Sequence, residues 1–347
     1  MTFPVCFAAG TLIRTPGGDV PVEALQVGDA VLMSSGALRP IKWLGHRVYG
    51  RGDGEGQECE VVRIAAHAFG QDRPSADLTL SPGHAVCVDV LGEVLIPVHY
   101  LVNGATIVRE RRDQVALWHV ELDSQDVLLA NDLPAESYLA MGNRGFFEED
   151  GATLDAFEEG KTKSHEDFCR PVVIDGAVLA FVRDRLLARA RALGWTESRD
   201  DDLRLMVDGR MRTPLIEDGA AAFVFPAAAS DVRLLSDTFR PSDLGFPDDR
   251  VLGARLFGLV FSCFDGDSRR IAIDDERLRE GAFGVENDGK PFCWTKGEVV
   301  LDPALWSGLA GAVMLLVACD RGTVRHWIAP PPREEPVEPR PKLYAVQ

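Results

Sequence analysis

Four residues of this sequence are of types that could do chemistry: Cys6, Ser81, His84 and His119. Cysteine is a strong nucleophile once a nearby base takes its proton. Histidine titrates near neutral pH and can both accept and donate a proton. His84 ends the turn Ser81-Pro82-Gly83-His84, between the β-prone runs Leu78-Thr79-Leu80 and Ala85-Val86-Cys87-Val88. A histidine at the head of a strand can point into a site rather than into the sheet. A serine three residues earlier can hydrogen-bond a nearby amide. Taken alone, His84 is an ordinary turn histidine. His119, beside Trp118 in the run Val115 to Leu122, reads either as a second base or as a packed strand residue.

From Cys6 to about Val108 the chain alternates short β-prone runs with turns. Examples are Ala30-Val31-Leu32-Met33, Ile41-Lys42-Trp43-Leu44 and Cys59 to Ile64; turn signals fall at Gly17-Gly18, Gly28-Asp29, Pro82-Gly83 and Asn103-Gly104. Val115 to Leu122 and Val127 to Ala130 close the pattern. The spacing predicts a compact all-β module.

The stretch Cys6-Phe7-Ala8-Ala9-Gly10-Thr11 and onward resembles the opening block of the Hint family, the self-processing modules of hedgehog proteins and inteins. Ser81-x-x-His84, about 75 residues after Cys6, is similar to that family's Thr/Ser-x-x-His block. The stretch from Trp118 to Asp132 resembles its last block, and Pro134-Ala135-Glu136-Ser137-Tyr138 looks like the bacterial members. The resemblance covers roughly residues 5 to 145. It implies an all-β horseshoe and an N-to-S acyl shift, in which Cys6 Sγ attacks the Val5 carbonyl carbon and turns the Val5–Cys6 peptide bond into a thioester. His84 would then protonate the departing nitrogen, Ser81 would orient the scissile amide or hold the oxyanion, and His119 would serve as base or proton shuttle, where many inteins carry an Asp.

The departures bound the chemistry. Splicing inteins end in His-Asn followed by Ser, Thr or Cys, and here Glu136-Ser137 takes that place. With no terminal asparagine to cyclise, complete splicing is not expected. The thioester would be resolved by water, a small thiol or an amine, and cleavage would free Met1 to Val5. The β-branched Val5 should slow attack at its own carbonyl.

The chain has 347 residues, a net charge of −17 and a pI near 4.9. Such acidity argues against nucleic acid and anionic membranes as partners; the chain's own N-terminal peptide is the expected substrate. The seven cysteines are scattered, with no CxxC pair, so neither a structural zinc site nor a disulfide framework is expected, and no cofactor either. The first residues lack a basic and then apolar leader, which points to the cytoplasm or to export without an N-terminal signal.

The expected organisation is a Hint module over 1–145, an acidic linker over 146–167, a mostly-β accessory domain over 168–329, and a Pro/Glu-rich tail over 330–347. The accessory domain reads as a β-sandwich with one helix, Val182 to Leu193, whose apolar stripe is Val182, Leu186, Leu187, Ala190 and Leu193. Two other functions fit the same residues: a non-catalytic scaffold keeping the Hint fold, and a cysteine hydrolase acting in trans through Cys6 with His84 or His119.

Overall fold

The structure is a computed structural model and describes residues 5–50, 59–139, 148–149, 167–198, 202–217, 220–244, 246, 248–264, 266–320 and 326–331. The Gly-rich loop after Gly50, nearly all of the acidic linker and most of the tail fall outside these residues.

The fold is mostly β, as the patterning requires. The first half builds two sheets. One is ordered Ile107–Arg112, Cys59–Ile64, Leu78–Leu80, Phe7–Ala8, Gln114–Leu122, Leu38–Gly50 and Glu148–Glu149, with Ala30–Leu32 paired to Leu38–Gly50. The other is ordered Gly18–Pro21, Leu12–Thr15, Val127–Ala130, Leu133–Glu136, Ala85–Asp89 and Glu93–Pro97. Their apolar faces share one core that includes Phe7, Ile13, Val31, Leu80, Ile96 and Leu128.

Register decides where the chemistry-bearing residues go. Phe7 pairs antiparallel with Trp118 on one side and with Leu80 on the other. One residue along, Cys6 therefore stands between His119 and Ser81. Residues more than seventy positions apart are brought together by a short central strand.

The helix runs from Gly176 to Ala192, so Ala177 to Phe181 belong to it ahead of the stripe that starts at Val182. Gly194 follows it at φ +95°, the left-handed conformation that suits a glycine just past a helix end. Its buried side chains are Leu179, Val182, Leu186 and Ala190. The first three belong to the core of the first half, not to that of the accessory domain. A helix with a single apolar stripe must find a sheet to cover, and polar ties aim this one: Arg183 donates to the Tyr100 carbonyl at 2.6 Å and Arg189 to that of His67 at 2.9 Å. The approach to the helix is pinned as well. Leu95 N–H donates to the Pro171 carbonyl and Val173 N–H to the Leu95 carbonyl, each at 2.9 Å, so residues 171–173 lie along the edge strand Glu93–Pro97.

The second half is a β-sandwich. A four-stranded sheet (Arg210–Arg212, Arg204–Val207, Val232–Leu235, Glu298–Leu301) faces a seven-stranded one centred on Ala312–Asp320 and Arg255–Cys263. Along Ala312–Asp320 buried and outward residues alternate, as expected for a strand with one face on a core. Leu205, Leu234 and Val299 from one sheet meet Phe223, Phe261 and Leu315 from the other in a separate core. Among the described residues, no helix is long and apolar enough to cross a membrane.

Candidate functional site

Cys6 is fully buried and doubly tied to Ser81. Its N–H donates to Ser81 Oγ at 2.8 Å, and its carbonyl accepts the Ser81 N–H at 3.0 Å. Cys6 Sγ lies 3.2 Å from His119 Nε2. The structure thus brings three of the four predicted residues into direct contact.

His84 joins them across Phe7, whose ring meets its own edge-on with centroids 4.2 Å apart. Neither ring nitrogen of His84 closes a well-formed hydrogen bond, although the carbonyls of Cys6 and Glu136 stand close enough to favour a proton there. The turn that carries it follows from its sequence. Pro82 presets the second position of a β-turn, and His84 N–H closes it on the Ser81 carbonyl at 3.1 Å.

The opening block is held by short-range geometry and one long-range tie. Thr11 Oγ1 donates to the Ala8 carbonyl at 2.7 Å, around Gly10 at φ +85°. Asn131 Oδ1 accepts the Leu12 N–H at 2.7 Å, and Asn131 Nδ2 donates to the Asp77 carbonyl at 3.0 Å. One carboxamide joins the opening, middle and closing blocks. Ser137 is also structural: its Oγ accepts the Asp126 N–H at 3.0 Å.

Two aromatic residues that sequence reasoning missed enclose His119. The Tyr138 ring meets it edge-on with centroids at 4.7 Å, and the Trp43 ring stacks at 6.2 Å. Trp43 reaches this place because His119 pairs with Gly45 on the neighbouring strand. A Cβ at Gly45 would fall within the Trp43 ring. A glycine two residues after a tryptophan in a β-prone run was the available signal. His46, next along, stacks on Trp118 at 4.6 Å on the other face.

Burial sets the charges. Desolvation pushes the Cys6 thiol well above its ordinary range, against a smaller lowering by Ser81. It pushes His84 down to about 4, and the nearby Cys6 and Glu136 carbonyls only partly oppose it. His119 goes down to about 3, first through burial and then through His84, with the Val5 carbonyl pulling the other way. That carbonyl, the one Cys6 would attack, is therefore close to the His119 ring. The resting site holds a neutral thiol and two neutral imidazoles, so attack needs the thiol proton to leave with the nucleophile's advance. Among the described residues no cluster of three or more His, Cys, Asp or Glu side chains could hold a metal ion.

The family model of the Hint domain matches residues 5–142. Among solved structures the chain is similar to an intein-like domain from Clostridium thermocellum, at 16% identity with a TM-score of 0.30, over 39% of this chain and 98% of that one. It is also similar to a DnaB intein from Synechocystis, at 12% identity with a TM-score of 0.28, over 39% of this chain and 100% of that one. No curated protein matches the chain.

Proposed function

We infer that the Hint domain of residues 5–142 cuts the bond on the N-terminal side of Cys6 by an N-to-S acyl shift, without completing splicing. The observation that carries this is the 3.2 Å approach of Cys6 Sγ to His119 Nε2, with the scissile amide N–H held on Ser81 Oγ.

His119 takes the thiol proton as Sγ adds to the Val5 carbonyl carbon. The C–N bond then breaks, leaving a Val5 thioester on Cys6 and a free amine at Cys6 N. The net step moves one proton from sulfur to nitrogen and leaves both histidines unchanged. His84, beside the Cys6 main chain, receives that proton from His119 and passes it to Cys6 N, so that each neutral ring only relays it. Ser81 fixes the plane of the amide, so that attack and nitrogen departure share one geometry. Water, a small thiol or an amine then resolves the thioester. Ser137 has no carboxamide to cyclise, and its hydroxyl is engaged by Asp126, which favours cleavage without ligation.

The complete burial of Cys6 favours a second reading, a scaffold that keeps the fold without the reaction. A single experiment separates the two. A reporter fused ahead of Cys6 should be released by hydroxylamine from the wild-type chain and retained by Cys6→Ala. Equal retention in both would leave only the scaffold.

A further inference from the structure

Glu136 is outside the candidate set, yet it is the most buried acid among the described residues. Its Oε1 accepts the Ala85 N–H at 2.7 Å, and its Oε2 accepts from Gln125 Nε2 at 2.8 Å. Gln125 Oε1 in turn accepts the main-chain N–H of Cys169 at 2.8 Å. Cys169 lies beyond the Hint domain, in the segment that leads to the edge strand Glu93–Pro97 and the helix. Three successive hydrogen bonds therefore run from that segment to the residue next to His84. Glu136 thus braces the end of the turn through its side chain, at the Ala85 N–H.

A carboxyl group in this place is costly. Burial pushes it up to about 8 even though two N–H groups point at it. An apolar side chain would fill the space without that cost, but it would leave the Ala85 N–H and the Gln125 amide without their acceptor.

We propose that Glu136 is a positioning residue for the processing reaction: with Gln125 and the Cys169 main chain it fixes the His84 turn against Cys6, so that the segment beyond the Hint domain completes the site. This rests on the processing function proposed for Cys6.

The polarity of the network supplies the test. Above about pH 8, where Glu136 is ionised, it accepts twice, while Gln125 donates once and accepts once, so the exchanges are compared there. Exchanging the two, Gln125→Glu with Glu136→Gln, reverses the middle bond and restores all three. Either single exchange leaves two donors or two carboxyl groups face to face. In the full chain with the upstream reporter, each single exchange should slow hydroxylamine release by about 10- to 100-fold, the scale of a small misplacement of a catalytic group, and the double exchange should return to within about threefold of wild type. The ring nitrogen NMR shifts of His84 in a Cys6→Ala background need no turnover. The single exchanges should move them and the double exchange should restore them. If wild type releases no more reporter than Cys6→Ala, the processing function fails, and the His84 shifts still decide the positioning role. Single exchanges that leave rate and shifts at wild-type values, or a double exchange no better than the singles, would overturn it.

Discussion

Cys6 Sγ lies 3.2 Å from His119 Nε2, and burial keeps both groups uncharged. A preformed thiolate would make cleavage climb about tenfold per pH unit. A neutral pair that passes its proton during attack gives no such slope. The thiol stays protonated and His119, at about 3, stays neutral across mildly acidic and neutral pH. Release of an upstream reporter, measured at saturating trapping nucleophile, should therefore be flat between about pH 5 and about 7. A tenfold rise per unit in that window would show that the thiolate forms before attack.

Ser81 accepts the Cys6 N–H at 2.8 Å inside the protein. Ser81→Ala leaves that buried donor unmatched, at a cost of about 1 to 3 kcal/mol in stability. The larger effect should fall on reporter release, because the amide plane is no longer fixed. Ser81→Thr keeps the hydroxyl and should retain most of the rate. Equal release from wild type, Ser81→Ala and Ser81→Thr would remove Ser81 from the site.

Cys6, Ser81 and His84 were singled out by their resemblance to Hint blocks, not by local signals alone, and the structure brings Cys6 and Ser81 into contact, with His84 across Phe7. His119 was ambiguous, since a strand histidine has the same pattern whether it faces a ligand or a tryptophan. Trp43, Tyr138 and Glu136 were not legible. Their roles depend on which strands pair and in what register, and register is a long-range property. The helix makes the same point. Its apolar stripe was readable, but a stripe does not say which of two cores it will cover. The sandwich of the second half was legible as alternation and turns.

Gly45 is a position where the absence of a side chain matters to the site. The Trp43 ring occupies the space a Cβ would need, and that ring stacks on His119 and lies tilted against Tyr138. Gly45→Ala should cost about 1 to 3 kcal/mol by overpacking and should displace Trp43. Quenching and solvent exposure of tryptophan fluorescence, read alongside reporter release, should change together. A fully active Gly45→Ala protein with wild-type stability would mean that the ring relaxes freely and does not brace His119.

Stability should depend on pH through three buried groups acting in opposite senses. His84 and His119 are held below their unfolded value, at about 4 and about 3. The unfolded chain then binds more protons than the folded one, so stability falls as pH drops from about 6.5 towards these values. Glu136 is held above its unfolded value, at about 8. Its contribution is full below about pH 4.5 and is lost as pH rises towards about 8. Above about pH 6.5 the histidines no longer contribute to the slope, and Glu136 alone should remove on the order of 2 kcal/mol by about pH 8. Cys87 and Cys169 are also held above their unfolded value, so their contribution is lost only as pH rises past about 9. Urea midpoints at about pH 6.5 and about pH 8 should therefore differ in wild type and nearly coincide in Glu136→Gln. A wild-type midpoint that does not move would place Glu136 in a far wetter environment than its burial implies.

The helix Gly176–Ala192 offers a test of which half of the chain it stabilises. Leu179, Val182 and Leu186 are buried with the core of the Hint domain, although they follow its last strand in sequence by some forty residues. Leu186 is almost wholly buried. Leu186→Ala removes apolar contacts and leaves a cavity, for about 2 to 5 kcal/mol. The two halves have separate cores, so their unfolding can be followed separately. Trp43 and Trp118 report on the first core, and Trp306 sits in the second. The Leu186→Ala chain should lose stability in the transition that exposes Trp43 and Trp118 and keep that of Trp306 near wild type. The same logic makes a fragment ending at residue 142 less stable than the Hint domain within the full chain, because it lacks the core residues Leu179, Val182 and Leu186. A Leu186→Ala effect confined to the Trp306 transition would instead assign the helix to the sandwich.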